Sequence, residues 1–221
     1  LAQYKSDGAT VINVGGATNE TAVKLKGKVA DPDASNTVKL QVEVKPVGTA
    51  FDENGILESG LLTNGTTAEV PVTGLGNGTY HWRARTVDNS GAMSSWLSFG
   101  ANSETATDFR VLTGRPSVTI SKASGQADPT NASPIKFTVV FSEDVSNFLG
   151  SDVSFSGSTV GGTLSADVTG GGPKTYNVEV TGMTGDGNVV ASIPEGVATD
   201  EAGNTNTASP AAATVHFDRV P

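Results

Sequence analysis

The chain has 221 residues, enough for one large domain or two of about 110, and with 36% apolar and 17% charged residues it suits sheets better than long amphipathic helices. It has no cysteine, which excludes a disulfide framework, thiol catalysis and thiolate metal sites and favours a bacterial surface or cytosolic origin. A formal charge of −9 repels nucleic-acid phosphates and argues against a polybasic membrane contact, and no apolar run approaches the ~20 residues of a membrane-spanning helix.

Strand signals recur at short spacing, separated by Gly, Asn, Asp or Pro, which is the all-β pattern. In the first half, strands are predicted near Thr10–Val14, Ala22–Val29, Val38–Val44, Glu69–Val72, Gly78–Val87, Ser95–Phe99 and Phe109–Leu112. Over Val38–Val44, Val38, Leu40, Val42 and Val44 share one face, and Lys39, Gln41 and Glu43 the other. Asn54-Gly55, Asn64-Gly65 and Asn77-Gly78 are turn dipeptides, because both residue types accept positive φ.

The aromatic strand Gly78–Val87 carries the most information. Tyr80, Trp82, Ala84 and Thr86 point one way and His81, Arg83, Arg85 and Val87 the other. Leu75, on the chain entering the strand, lies at the spacing of a tyrosine corner, in which the Tyr80 hydroxyl bonds to upstream backbone. On Leu75, Tyr80, Trp82, Arg83, Arg85, Gly91, Ser95 and Trp96, residues 17–112 resemble a fibronectin type III domain or the similar bacterial Ig-like repeats. That resemblance implies a sandwich and leaves function open. It also implies an Arg–Trp ladder on the outer face, with Arg83 and Arg85 over Trp96 and one of the two Trp positions empty.

Thr113-Gly-Arg-Pro116 marks the boundary, since Pro116 fixes φ and biases Arg115 to an extended backbone. Residues 1–113 and 114–221 are therefore predicted as two tandem immunoglobulin-like β-sandwiches. The second half has strands predicted near Ser117–Ser121, Ile135–Phe141, Ser151–Ser156, Thr163–Val168, Tyr176–Val180, Asn188–Ile193 and Ala213–Phe217. On Ser117–Ile120, Asp128–Asn131, Pro134-Ile135, Phe141–Val145, Ser151–Val153 and above all Gly196–Asn204, residues 116–217 resemble a bacterial Ig-like family of large surface proteins. This implies repeats of extracellular stalks without enzymatic activity. The chain opens mid-pattern at Leu1 and reads as a piece of a longer polypeptide.

Catalytic patterns are weak. His81 and His216 lie on strands, outside any nucleophile elbow or HExxH motif, and a lone strand histidine is expected at the surface. Glu195, Asp200 and Glu201 cluster on a turn without the aromatic lining a glycosidase site requires. Calcium is the one cofactor whose hard oxygen ligands the loops supply: Asp31, Asp33 and Asn36 in one loop and Asp88 at the end of the aromatic strand. Asp186 with Asn188, or Asp200 and Glu201 with Asn204, form a second set, and Asp-Pro-Asp is equally an ordinary turn. Trp96 is the candidate ligand contact, as a platform for a sugar ring or as a rung of the ladder. Asn19, Asn64, Asn77 and Asn131 fit the glycosylation sequon, which matters only for a eukaryotic source.

Together these features predict a non-catalytic spacer or adhesion module of a bacterial secreted or cell-surface protein, extracellular in location. Its expected partners are flanking domains of the same polypeptide and surface polysaccharide or protein, with no nucleic acid and no membrane contact. The alternative is an accessory carbohydrate-binding module of a polysaccharide-degrading enzyme, which needs a row of exposed rings that 2 Trp and 3 Tyr barely supply.

Overall fold

Alternation of apolar and polar residues decides the longest strands. The computed structural model describes residues 1–33 and 35–220, in two units, Leu1–Thr113 and Gly114–Pro221. Both are all-β; among the described residues the helical elements are two short 3-10 turns, Phe99–Ala101 and Gly150–Asp152, and no helix is long and apolar enough to cross a membrane.

The first unit holds β1 (Ala2–Lys5), β2 (Gly16–Thr18), β3 (Val23–Lys28), β4 (Thr37–Pro46), β5 (Leu57–Glu58), β6 (Leu62–Thr63), β7 (Thr67–Val72), β8 (Gly78–Asp88), β9 (Leu97–Ser98) and β10 (Phe109–Val111). One sheet has the order β1-β3-β7 and the other β2-β10-β8-β4-β5, with β6 paired to β4 and β9 to β8. All pairings are antiparallel except β2 with β10, where Gly16, Ala17 and Thr18 face Phe109, Arg110 and Val111 in parallel. Val23, Leu25, Val70 and Val72 of the first sheet pack with Val38, Leu40, Val42, Trp82, Ala84, Phe109 and Val111 of the second into one core. Each such Val, Leu or Phe side chain contributes about 1.5–3 kcal/mol when fully buried. The Tyr80 hydroxyl donates to the Gly76 carbonyl at 2.9 Å, and its ring stacks on Phe109, so the tyrosine corner is formed.

The second unit holds β11 (Val118–Lys122), β12 (Ile135–Phe141), β13 (Gly162–Gly171), β14 (Thr175–Met183), β15 (Gly187–Ala191) and β16 (Ala213–Phe217). A four-stranded sheet β11-β12-β14-β13 and the pair β15-β16 enclose Ile135, Phe137, Val139, Phe141, Val178, Val180, Val189, Ile193 and Val215. Between β13 and β14 the chain turns at Gly171, whose φ of 91° and whose would-be Cβ, 2.0 Å from the Thr175 carbonyl oxygen, admit only glycine.

Two expected strands are not there. Thr10–Val14 is irregular apart from a single bridge between Tyr4 and Val11, although Ile12 still reaches the core. Ser151–Ser156 begins in a 3-10 turn and makes one bridge, Ser154 to Ser192. Ser151–Ser156 is rich in small polar residues, which favour turns over ladders, and Thr10–Val14 is confined between the turn closed by Asp7 and the positive-φ turn at Gly15. At the boundary, Thr113 donates from its amide and hydroxyl to Asn77 Oδ1 within the first unit. Arg115 donates to the carbonyls of Thr205 and Asn206 within the second.

Candidate functional site

The outward face of β4 and β8 gathers most of the first unit's chemistry. Arg83 lies over the Trp96 ring at 4.4 Å and Arg85 over the same ring at 4.2 Å, so the expected ladder exists. The position left empty by the Trp pattern is filled from elsewhere: Phe51, in the loop after β4, takes the other side of Arg83 at 4.6 Å and stacks on His81 at 4.3 Å. The order along the face is therefore His81, Phe51, Arg83, Trp96, Arg85. Trp96 Nε1 donates to Glu53 Oε1, and Gln41 Oε1 accepts from Arg85 Nε. Trp96 is half-buried, with both guanidinium groups against its ring.

Beneath the ladder sits Glu43, 0% exposed although alternation places it on the outer face. Its Oε2 accepts from Arg83 Nε and Nη2 at 2.9 and 2.7 Å, and its Oε1 from the amides of Asp52 and Glu53, both at 2.9 Å. Lys45 Nζ lies 3.6 Å from the same carboxylate and 2.6 Å from Asp52. Asp52, held by Lys45 and Asn54, has its carboxyl well below the usual range. A charged group this deep persists only because every lone pair is answered.

His81 departs from expectation. It is 3% exposed and covered by Phe51, not a surface residue. Inside the core, Gln3 links β1 to the second sheet: its Nε2 donates to the Asp108 carbonyl at 2.6 Å and its Oε1 accepts from Trp82 Nε1 at 2.9 Å. The Asp108 carboxylate accepts from the Trp82 amide and from Asn102 Nδ2. Burial pushes this carboxyl up against the lowering effect of those two bonds.

The structure brings three of the four proposed calcium ligands together. Asn36 Nδ2 donates to both Asp31 Oδ1 and Asp88 Oδ2 at 3.2 Å. Asp33 joins through its backbone, its amide donating to Asp31 Oδ1. Asp88 also accepts from the Ser90 hydroxyl and amide and the Ala92 amide, bonds that lower its pKa, the Ser90 hydroxyl foremost. Among the described residues no group of three or more His, Asp or Glu is placed to hold a metal ion.

In the second unit the Gly196–Asn204 segment is knit by its own side chains. Asp200 Oδ1 accepts from the amides of Ala202 and Asn204, and Asn204 Nδ2 donates to Asp200 Oδ2. Asn206, fully buried, makes four bonds: Oδ1 accepts from the amides of Val197 and Ala198, and Nδ2 donates to the carbonyls of Pro194 and Thr207. Sequence reasoning passed over Asn206; its place just beyond the Asp-Glu-Ala-Gly-Asn turn was the available signal. Glu195 points instead to Arg115, 3.3 Å away. Asp186, the other calcium candidate, accepts from the amide and Nε of Arg219, while Asn188 Oδ1 meets His216 Nδ1.

No curated protein matches the sequence. Among solved structures, the fibronectin(III)-like modules of Clostridium thermocellum CbhA align at 13% identity and a TM-score of 0.38, over 96% of this chain and 94% of that one. The D00-D0 domain of Intimin aligns at 15% identity and a TM-score of 0.28, over 93% and 96%. The C-terminal domain of the Streptococcus pyogenes antigen I/II-family protein AspA aligns at 7% identity over 98% and 97%. Likeness at these scores carries no argument, and the fold rests on strand order and shared cores. Residues 112–216 match the family model described as a bacterial Ig-like domain. That match falls on the second unit, which is therefore similar to a bacterial Ig-like domain.

Proposed function

We propose that the chain is a non-catalytic spacer or adhesion segment of a bacterial secreted or cell-surface protein, with flanking domains of the same polypeptide as its partners. The observation that carries this reading is the use of reactive-looking side chains as braces. Arg83, Arg85, Trp96 and Phe51 spend their faces on one another, and Glu43 is consumed by Arg83 and two backbone amides. Asp200, Asn204 and Asn206 likewise close loops. The match of residues 112–216 to a bacterial Ig-like domain supports the bacterial origin in this reading and leaves the role to the side chains.

The test is retention on insoluble polysaccharides together with a glycan array. The expected result is no specific retention. Retention that disappears in Trp96→Ala, with the circular dichroism spectrum unchanged, replaces this reading with an accessory carbohydrate-binding module.

A further inference from the structure

Beside the ladder, a cavity of about 270 Å³ opens between the loop after β4 and the loop before β10, lined by Gly48, Thr49, Ala50, His81, Glu104 and Thr105. His81 Nε2 lies 2.9 Å from the Thr49 carbonyl oxygen. A carbonyl only accepts, so Nε2 carries a hydrogen, and whenever the ring is neutral its lone pair lies on Nδ1. That Nδ1 atom is buried and has no hydrogen-bond partner. It faces Glu104 Oε2 at 4.0 Å. Two electron-pair donors facing each other beside an apolar wall leave a place for a positive charge between them.

We propose that His81 Nδ1 and Glu104 Oε2 form a binding site for a divalent transition-metal ion of the zinc class. The chemistry fits at each end. A metal-ligating histidine typically fixes its tautomer by donating its other ring N–H to a carbonyl, as His81 does to Thr49. A ligating carboxylate is in turn steadied by a hydrogen bond, and the Ser98 hydroxyl donates to Glu104 Oε1, leaving Oε2 for the ion. Zinc–nitrogen and zinc–oxygen distances of about 2.0–2.2 Å in a tetrahedral shell set the two ligands about 3.4 Å apart. The present 4.0 Å closes to that by a small movement of Glu104, whose side chain is 56% exposed. Phe51, stacked on the ring, holds the imidazole plane. The Asp108 carboxylate nearby adds negative potential, and water completes the shell. Imidazole with carboxylate selects zinc-class ions over calcium, which prefers oxygen alone. This site is separate from the spacer reading and stands or falls independently of it.

The experiment is a zinc chloride titration of the ¹⁵N-labelled chain at pH 7.5, followed by imidazole ¹⁵N spectra and Tm. Without zinc, His81 is expected as the Nε2–H tautomer. Zinc then moves the His81 Nδ1 resonance and raises Tm, while His216 serves as the internal reference. Glu104→Gln, at an exposed position, weakens zinc binding at least tenfold. His81→Phe keeps the stack on Phe51 and abolishes binding. Lowering the pH weakens binding, because the proton competes for the same lone pair. A His81 resonance unmoved at 1 mM zinc overturns the proposal, even if the ring takes up a proton in acid. Equal affinity in Glu104→Gln overturns it too.

Discussion

Glu43 and Trp96 show how single side chains set the outer face of the first unit. Replacing Glu43 with Ala strands Arg83 beneath Phe51 and Trp96 and frees the Asp52 and Glu53 amides, so a loss of about 3–5 kcal/mol is expected in urea unfolding. Trp96→Ala removes two guanidinium stacks and costs about 1–2 kcal/mol. With the Asn36 amide nitrogen bridging Asp31 and Asp88, millimolar calcium is expected to leave Tm unchanged; an upward shift would mark that loop as a cation site. The Arg83–Trp96–Arg85 stack was legible because strand alternation and the Trp spacing place those residues together. Glu43 and His81 were not, since alternation says which way a side chain points but not what folds over it. Here the cover is the loop carrying Phe51, a lone ring in a polar, Gly-containing stretch.

At the level of elements, strands with a period of two were readable: β3, β7 and β12 alternate buried and less buried positions, as does the centre of β14, while β4 and β8 alternate in residue type but also bury Gln41, Glu43 and His81 on the outer face. β1 and β2 were not, because four- and three-residue strands carry too little pattern, and β1 buries an amide side chain in place of an apolar one. Gln3 nonetheless ties β1 across the core to β8. Gln3→Leu leaves the Trp82 indole N–H buried without its acceptor, and an equilibrium-unfolding loss of about 1–3 kcal/mol is expected. Asn206→Ala frees two amides and two carbonyls at once in the turn preceding β16 and is expected to cost on the order of 3 kcal/mol, measured the same way.

Across the whole chain, acid acts unevenly. In the first unit, hydrogen bonds and lysines hold down the carboxyls of Asp7, to about 2, and of Glu58, Glu69 and Asp88. In the second unit Asp128 and Asp186 are lowered, chiefly by backbone amides, while Glu143 is raised, by burial and then by Asp200 and Glu201. A lowered carboxyl lends stability above its unfolded pKa and loses it as pH falls through the folded value. Asp108, raised by burial, works in the opposite direction and offsets part of this. Most of these groups are exposed, so each effect is small and screened by salt. Between pH 5 and pH 2.5 the first unit is expected to lose more Tm than the second. Tryptophan fluorescence reads the first unit alone, since Trp82 and Trp96 both lie in it, and the His216 resonance reads the second. An equal fall in both would contradict the assignment.

The parallel pairing of β2 with β10 has a further consequence under tension. Because the two strands run the same way, a pull on the two ends of the first unit drags β2 and β10 in opposite directions along their length. Gly16, Ala17 and Thr18 must then part from Phe109, Arg110 and Val111 together, in shear, where an antiparallel hairpin pulled from its open end would unzip one rung at a time. A cysteine-free chain thereby gains resistance to stretching between the first and last strands, in chain order, of its larger sheet.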